Sequence, residues 1–261
     1  MNYSRMTFNN ITTAGIPDKT TLVFLPGWGF KASIWETVTK NLAHLPVIMR
    51  DLPTTINQAS FNENSLDEIT SEIDKTLPDN CILIAWSLGG LLALNLCAKH
   101  PKKYKKIILV ASTPKFVETS DWPGISQADI SRFYTQAQIN LSELMQHFHQ
   151  MILDENTIHF IHAIKMHAIA SSQQYILRFY LDMLIQSDLR THYKTLQIPV
   201  LHILGSRDRI IPASHIKHIK RAYSSQRVHT IKEASHIPFL SHTHEFINQI
   251  LEFISQGETP A

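Results

Sequence analysis

The sequence has little cysteine, little net charge and no long apolar run. Only two of the 261 residues are cysteines, and neither their number nor their spacing fits a disulfide framework or a thiolate metal site. A formal net charge of +2 gives no general attraction to nucleic acid or to membrane surfaces. Residues 1–10 lack the apolar core of a signal peptide, and no run approaches membrane-spanning length. We therefore expect a cytoplasmic protein without a nucleic-acid or membrane partner.

Short apolar runs alternate with helical patterns in two parts of the chain. Two helices are expected to begin with capping boxes, one formed by Ser33 with Glu36 and one by Ser65 with Glu68. Because parallel strands are joined through helices, the alternation predicts an α/β fold with a mostly parallel central sheet and helices on both faces. The expected strands are residues 21–25, 46–51, 81–86, 106–111, 199–205 and 227–231.

The alternation stops between residues 113 and 195. No strand pattern is found there, and four helices are expected, at 127–137, 141–153, 157–170 and 174–186. A helical insertion between two halves of one sheet is typical of a lid. We therefore divide the chain into a core of residues 1–112 and 196–261, and a helical cap of residues 113–195 that is not an independent domain.

Ser87 lies at the junction of an expected strand and an Ala/Leu-rich helix. The surrounding Ala85-Trp86-Ser87-Leu88-Gly89 resembles the G-x-S-x-G nucleophile elbow, with Ala85 in place of the first glycine. A serine in such a turn is strained, and its hydroxyl is exposed above the sheet. The motif alone leaves two interpretations open, which are a nucleophile and a buried strand–helix junction with an incidental serine.

A serine needs a neighbouring base, and two later loops supply candidates. Asp208 directly follows the strand that ends near residue 204, and His236 follows the strand that ends near residue 231. Each residue alone could be an ordinary turn carboxylate or surface histidine. Their order after Ser87 and their positions at strand ends are those of the α/β-hydrolase triad. We therefore predict a Ser87–His236–Asp208 triad.

The expected oxyanion hole needs two backbone N–H groups. We assign one to Leu88, which follows the nucleophile, and the other to Trp28 in the Gly-Trp-Gly turn after the first strand. Trp28 and Trp86 could each be a packing residue, but we expect both to line the pocket.

Five segments carry a more specific resemblance. They are Leu-Pro-Gly-Trp-Gly at 25–29, Ala-Trp-Ser-Leu-Gly-Gly at 85–90, Asp-Trp-Pro-Gly-Ile at 121–125, Ser-Asp-Leu-Arg at 187–190 and Ser-His-Ile-Pro-Phe-Leu-Ser-His at 235–242. Together they resemble the pimeloyl-[acyl-carrier protein] methyl ester esterases of biotin synthesis over nearly the whole chain. The resemblance implies an α/β-hydrolase fold with an inserted cap, and a serine carboxylesterase that frees the pimeloyl carboxylate and methanol.

The resemblance also implies a set of substrate contacts. The implied residues are Trp28, Ser87, Leu88, Phe148, His149, Gln150, Met151, Ile152 and His236, and we expect Trp122 to lie near the acyl chain. It further implies a transient, acidic carrier-protein partner and no cofactor, and we expect a monomer. Histidines of the cap, such as His159 and His162, lack a recognised zinc-ligand spacing, so no metal is expected.

Two features depart from the family or leave its function open. Thr54 and Thr55 replace a glycine-containing turn, and the cap has few arginines to meet an acidic carrier. Because a fold and a triad do not determine the substrate, another hydrolase of the same fold, acting on small esters, lactones or carbon–carbon bonds, remains an alternative. A non-catalytic ligand-binding relative is the second alternative, which the intact triad disfavours.

Overall fold

The computed structural model describes residues 20–56, 61–170, 173–223 and 226–256. Residues 1–10, which we expect to carry no signal sequence, lie outside these ranges. No helix in the described part of the chain has the length and apolarity needed to cross a membrane.

One parallel sheet organises the described residues. Its spatial order is β2-β1-β3-β4-β5-β6, and every neighbouring pair is parallel. The strands are β1 (Leu22–Leu25), β2 (Val47–Met49), β3 (Cys81–Trp86), β4 (Tyr104–Val110), β5 (Val200–Gly205) and β6 (Arg227–Ile231). All six lie where the apolar runs predict them, so the expected α/β architecture is confirmed.

The central strands are mostly apolar because helices cover both faces of the sheet. Every residue of β1, β3 and β5 is buried. Alternating apolar and polar residues would instead leave one face open to water. The parallel arrangement brings the carboxyl ends of all strands to one edge, and the loops leaving that edge carry the candidate site.

Helices connect the strands and fill the interval between β4 and β5. The core helices are α1 (Glu36–Asn41), α2 (Ser65–Asp74), α3 (Leu88–Lys99), α9 (Ala213–Ala222), α10 (Pro238–Ser241) and α11 (Thr243–Ser255). The interval holds α4 (Gln127–Ile139), α5 (Leu141–Met151), α6 (Ile161–Met166), α7 (Gln174–Gln186) and α8 (Arg190–Lys194). The short helices α8 and α10 have no counterpart among the predicted elements, and the predicted helix at 157–170 is a 3₁₀ turn, Ile158–Phe160, followed by α6.

The two predicted capping boxes are wrong. The helix near Ser33 begins as a 3₁₀ turn, Ala32–Trp35, whose first N–H is bound at 2.5 Å by the Oδ1 atom of Asp51. Ser33 Oγ instead contacts His167 Nδ1 at 2.9 Å. Ser65 is the first residue of α2, not the residue before it. In the first case a carboxylate from a distant loop takes the role that the local pattern assigns to the serine.

Ion pairs join the two ends of the segment between β4 and β5. Arg190 lies 2.9 Å from Asp121, near the start of the segment, and 2.8 Å from Asp188, near its end. Lys115 lies 3.1 Å from the same Asp188 carboxylate. Partial burial acts to raise the pKa of Asp188, but hydrogen bonds from Arg190 and Lys115 outweigh it and lower that pKa to about 2. These contacts hold the two ends of the segment side by side.

Two fully buried histidines contact the two ends of this segment. His202, on β5, contacts the Tyr193 hydroxyl at 2.6 Å, and His215, on α9, contacts the hydroxyl of Thr113. Burial disfavours the charged imidazolium, and it lowers the pKa of His202 to about 4 and that of His215 to about 3. Both side chains are therefore neutral in the folded protein near neutral pH.

These histidines predict a loss of stability on mild acidification. The two histidines take up protons near pH 6.5 in the unfolded chain, but only near pH 4 (His202) and pH 3 (His215) in the folded protein, so the free energy of unfolding falls as the pH drops below about 6.5. The slope is at most about 1.4 kcal/mol per pH unit for each histidine. Urea unfolding from pH 7 to pH 5 measures it. His202→Gln should make the free energy of unfolding depend less on pH, whereas replacement of the exposed His147 by Gln should not. An equal pH dependence in the wild type and both variants would contradict this account.

Candidate functional site

Ser87 occupies the turn between β3 and α3 in a strained conformation. Its φ of 53° and ψ of −120° lie outside the regions that non-glycine residues favour, at a cost of about 1–3 kcal/mol. The Ser87 N–H donates to Val110 O at 2.9 Å, and Ser112 Oγ donates to Ser87 O at 2.7 Å. Hydrogen bonds from the neighbouring strand β4 and the loop after it therefore hold the strain in place.

Small residues around Ser87 make this turn possible. A Cβ atom on Gly89 would lie 2.6 Å from Pro26 O, and one on Gly90 would lie 2.1 Å from Ser112 Oγ. Ala85, which replaces the first glycine of the motif, is fully buried on β3, where its methyl group packs in the core. The turn therefore forms without a glycine at that position, but it needs both glycines after the serine.

Asp208 and His236 form a buried pair at the same edge of the sheet. Asp208 Oδ2 lies 2.8 Å from His236 Nδ1, and both side chains are fully buried. The other oxygen, Oδ1, accepts the backbone N–H groups of Ile210 at 2.8 Å and Ile211 at 3.0 Å. Because a carboxylate only accepts, Nδ1 carries the proton and Nε2 has a lone pair. In the described part of the molecule Nε2 has no hydrogen-bond partner.

The loops that carry this pair are packed closely on each other and on β3. Arg207 N–H donates to Ala234 O at 2.9 Å. A Cβ atom on Gly205, where β5 ends, would lie 2.2 Å from Ser235 O, so only glycine fits. Trp86 donates its Nε1–H to His236 O at 2.9 Å, and the two rings are 5.7 Å apart. Trp86, directly before Ser87, thereby anchors the histidine loop.

A cavity of about 640 Å³ has Ser87 in its wall. Trp28 contributes its indole ring, which is fixed by an Nε1–H bond to Leu177 O at 2.7 Å and by an edge-to-face contact with Phe148 at 4.8 Å between ring centroids. A volume of this size suits a small organic ligand. The apolar lining residues are Trp28, Ile125, Ile130, Phe133, Leu144, Phe148, Met151, Leu181, Leu184, Ile185 and Ile210.

The two expected oxyanion donors are backbone groups of Trp28 and Leu88. Leu88 is the first residue of α3, where helical N–H groups have no partner within the helix. Neither N–H has a recorded acceptor among the residues that the structure describes. Trp28 is in the wall of the cavity, whereas Leu88 is fully buried and is not among the lining residues, so the pair of oxyanion donors stays a prediction.

The structure distributes the remaining predicted pocket residues among different environments. Met151 joins Phe148 in the cavity wall, whereas Gln150 is exposed and Ile152 is fully buried in the core, and neither of these two is among the lining residues. His149 is also buried outside the wall, with its ring 5.4 Å from that of Phe30. Burial lowers the pKa of His149 to about 4, so its ring is neutral.

The tryptophans Trp86 and Trp122 are not in the wall of this cavity. Trp86 is fully buried behind the histidine, against Phe30 and Phe239. Trp122 packs against the ring of His218, 4.7 Å away, and lines a separate cavity beside the two ends of the inserted segment.

The lining residues of α4 and α7 are absent from the residues predicted from the sequence. They follow helical spacing, with Ile130 and Phe133 three positions apart and Leu184 three positions after Leu181. This periodicity identifies an apolar helix face. It does not tell whether that face covers a cavity or a packed core. The polar lining residues, also not predicted, are Asp129, Arg132, Gln136, Glu143, His147 and Arg209.

Within the described ranges, no group of three or more His, Cys, Asp or Glu side chains is arranged to hold a metal ion. The site combines a strained serine with an oriented imidazole whose Nε2 atom has no hydrogen-bond partner in these ranges. Two backbone N–H groups, of Trp28 and Leu88, are the predicted oxyanion donors. Such an arrangement can perform nucleophilic acyl transfer.

Comparison with known sequences identifies close relatives. The model of the alpha/beta hydrolase family matches residues 22–249. A pimeloyl-[acyl-carrier protein] methyl ester esterase of Pseudoalteromonas atlantica is 33% identical over 238 residues, covering 88% of this chain and 92% of the relative. The proteins of the same name from Aeromonas hydrophila and Legionella pneumophila are 32% and 30% identical, each covering 89% of this chain and 94% of the relative.

Solved structures of lower sequence identity share the fold. An esterase from Exiguobacterium antarcticum superposes with a TM-score of 0.76 at 19% identity, covering 92% of this chain and 94% of the other. An enol-lactonase from Burkholderia xenovorans superposes with a TM-score of 0.74 at 16% identity, covering 92% and 93%. At such identities the likeness shows the architecture alone.

The crowding at Gly205 predicts a sensitive position. Gly205→Ala should lower the free energy of unfolding by roughly 1–3 kcal/mol, as overpacked sites do. It should also push the Asp208 and His236 loops apart. Urea unfolding measures the first effect, and the ¹H and ¹⁵N shifts of the His236 ring measure the second. Ile73→Val, remote on α2, should be destabilising without moving those shifts; unchanged shifts in Gly205→Ala would contradict the prediction.

Proposed function

This chain belongs to the alpha/beta hydrolase family, and within it to the pimeloyl-[acyl-carrier protein] methyl ester esterases, and on that premise we propose that it hydrolyses the methyl ester of a pimeloyl group carried on acyl-carrier protein. The products are methanol and the free pimeloyl carboxylate, still joined to its carrier. In this role the protein is the serine esterase that completes the pimeloyl group for biotin synthesis.

One observation carries the proposal. Asp208 orients a buried His236 whose Nε2 has no partner, at the edge of the sheet where Ser87 is held in a strained turn. Within the described ranges other histidines, such as His149, His202 and His215, also have a buried ring nitrogen without a partner, but His236 differs from them in that the carboxylate of Asp208 holds its other nitrogen. An unpaired Nε2 is what a general base needs before its substrate arrives.

The first half of the proposed reaction forms an acyl-enzyme. Ser87 Oγ attacks the ester carbonyl carbon while His236 Nε2 takes the hydroxyl proton. Asp208 keeps the ring in the required tautomer and stabilises the imidazolium. The oxyanion accepts hydrogen bonds from the Trp28 and Leu88 N–H groups. When the tetrahedral intermediate collapses, the C–OCH₃ bond breaks and the imidazolium gives its proton to the leaving oxygen, which departs as methanol.

The second half returns the enzyme to its starting state. His236 Nε2 takes a proton from water as the water oxygen attacks the acyl-enzyme carbonyl. The C–O bond to Ser87 then breaks, and the proton passes from the imidazolium to Ser87 Oγ. The new carboxylic acid ionises on release. No cofactor is needed for either half.

The segment of residues 113–195 is proposed to act as the cap over the acyl chain. Its helices α4, α5 and α7 provide most of the apolar wall of the cavity, with Phe148 packed edge-to-face against Trp28. An apolar chain of medium length between Ser87 and this wall removes methylene groups from water, at roughly 0.8 kcal/mol for each buried CH₂.

The carrier protein is proposed to dock transiently, so that its prosthetic arm presents the ester to the cavity. We propose that the enzyme acts as a monomer in the cytoplasm. Charges at an interface rim mainly set the association rate and its salt dependence. A cap with few arginines would therefore slow the encounter with an acidic carrier without abolishing the chemistry.

Removal of the nucleophile tests the catalytic assignment. Ser87→Ala should lower kcat for p-nitrophenyl acetate by on the order of 10⁴-fold or more, because the triad acts as a unit. Ser71→Ala, an exposed serine on α2, should behave as the wild type. Full activity in Ser87→Ala would contradict the assignment of Ser87.

The same variant tests the substrate in a cell. Wild-type protein should restore growth without biotin to a biotin auxotroph that lacks its own methyl ester esterase, and Ser87→Ala should not. An expressed protein that hydrolyses p-nitrophenyl esters but gives no rescue would favour the alternative, an esterase or lactonase of small carboxylic esters.

Neighbouring residues of α5 test the cavity. Met151→Ala removes part of the apolar wall and should raise KM for dimethyl pimelate by roughly 3- to 10-fold, with little change for methyl acetate. The exposed Gln150→Ala is the matched control and should change neither. Titration of the released acid gives KM for each ester. An equal rise in KM for the long and the short ester would show that the wall does not contact the acyl chain.

A further inference from the structure

A turn that follows α5 lies against the two loops that carry the acid and the base. Within this turn Asp154 Oδ1 accepts the backbone N–H groups of Asn156 at 3.1 Å and Thr157 at 3.0 Å, and the Thr157 hydroxyl at 2.7 Å. These bonds shape the turn without using the second carboxylate oxygen. In the described part of the molecule that oxygen, Oδ2, is buried and makes no hydrogen bond.

The charge that faces Asp154 Oδ2 comes from the acid loop. Arg207, which directly precedes Asp208, has its Nη1 atom 4.0 Å from Asp154 Oδ2. Its other terminal nitrogen, Nη2, lies 3.4 Å from Glu233 Oε1 on the histidine loop. Arg207 therefore lies between a carboxylate of the inserted segment and a carboxylate of the core.

A second contact joins the same turn to the base loop. Thr157 Oγ1 lies 3.5 Å from Oγ of Ser235, which directly precedes His236, and both residues are buried. The turn thus touches the residue before the catalytic acid and the residue before the catalytic base. These are the places where the segment meets the loops of the proposed triad.

Burial distinguishes this pair from ordinary surface ion pairs. The Asp154 side chain is only 8% exposed, whereas the Arg207 side chain is 45% exposed. An arginine at the surface loses little hydration, but a buried carboxylate oxygen without a hydrogen bond needs a compensating charge. The position of the turn on the core therefore depends on Arg207 more than an exposed pair would.

We propose that Arg207 and Asp154 are positioning residues that seat the substrate-covering segment on the catalytic loops. The proposal rests on the function proposed above. Met151, in the cavity wall, is three residues before Asp154, so a shift of the turn moves the wall relative to Ser87. The ion pair thereby sets how well the enzyme binds a long acyl chain, and it leaves the chemistry of the triad unchanged.

The test compares a long ester with a short one. For each protein, kcat and KM are measured with p-nitrophenyl hexanoate, whose chain reaches the wall, and with p-nitrophenyl acetate, whose chain does not. Asp154→Asn retains the oxygen that shapes the turn and removes the charge, and Arg207→Gln removes the partner. Each single variant should lower the hexanoate-to-acetate ratio of kcat/KM by about 5-fold, mainly through KM for hexanoate, as expected for a partly buried charge pair.

Coupling and controls complete the test. Because the contact broken by Asp154→Asn is also broken by Arg207→Gln, the double variant should be no worse than Arg207→Gln alone. Arg207→Lys keeps the charge and should restore most of the ratio. Glu155→Gln removes the neighbouring exposed charge and should leave the ratio as in the wild type. Unchanged ratios in the single variants, additive losses in the double variant, or equal losses on both esters would each overturn the proposal. A wild type that hydrolyses neither ester would instead refute the proposed function.

Discussion

The strained backbone at Ser87 is the constraint on which the rest of the site depends. A serine at φ 53° is stable only if its surroundings hold it there. In this chain the hydrogen bonds to Val110 and Ser112 do so, together with two glycines that let α3 approach β1 and the loop after β4. Because those partners are fully buried residues at the end of β4 and in the loop after it, the core stabilises the strain, and the serine hydroxyl gains its position at the edge where the later loops arrive.

The loops that carry Asp208 and His236 keep the His236 imidazole in one orientation in a buried site. Asp208 is fixed by two backbone N–H groups before it meets His236, so little conformational freedom remains to be lost when substrate binds. Gly205 allows the two loops to touch, and Trp86 fixes the histidine loop from the other side. Trp86, next to the proposed nucleophile, thus supports the loop of the proposed base without entering the cavity.

Local pattern was sufficient for the strands and for the strand-end positions of the residues in the proposed triad, and insufficient where distant groups decide. Buried parallel strands are continuous apolar runs, and the ends of such strands locate Ser87, Asp208 and His236. The start of the first helix could not be predicted in this way, because Asp51 caps it from 19 positions away. The packing partners of Trp122 could not be predicted from local pattern either, since His215 and His218 lie almost a hundred residues later. The lining of the cavity is likewise a property of how the helices meet.

The charges around the cavity bear on how the carrier would be recognised. The lining contains two acidic residues, Asp129 and Glu143, and two arginines, Arg132 and Arg209. Opposite charges in equal number give a small net field at distances beyond the Debye length of about 8 Å at physiological ionic strength. These four charges alone therefore give an acidic partner little long-range attraction. Discrimination between esters must then come from contacts made inside the cavity, where the apolar wall meets the acyl chain. On the proposal that residues 113–195 cover the cavity, the position of this segment on the core, more than the charge of its surface, sets which ester reaches Ser87.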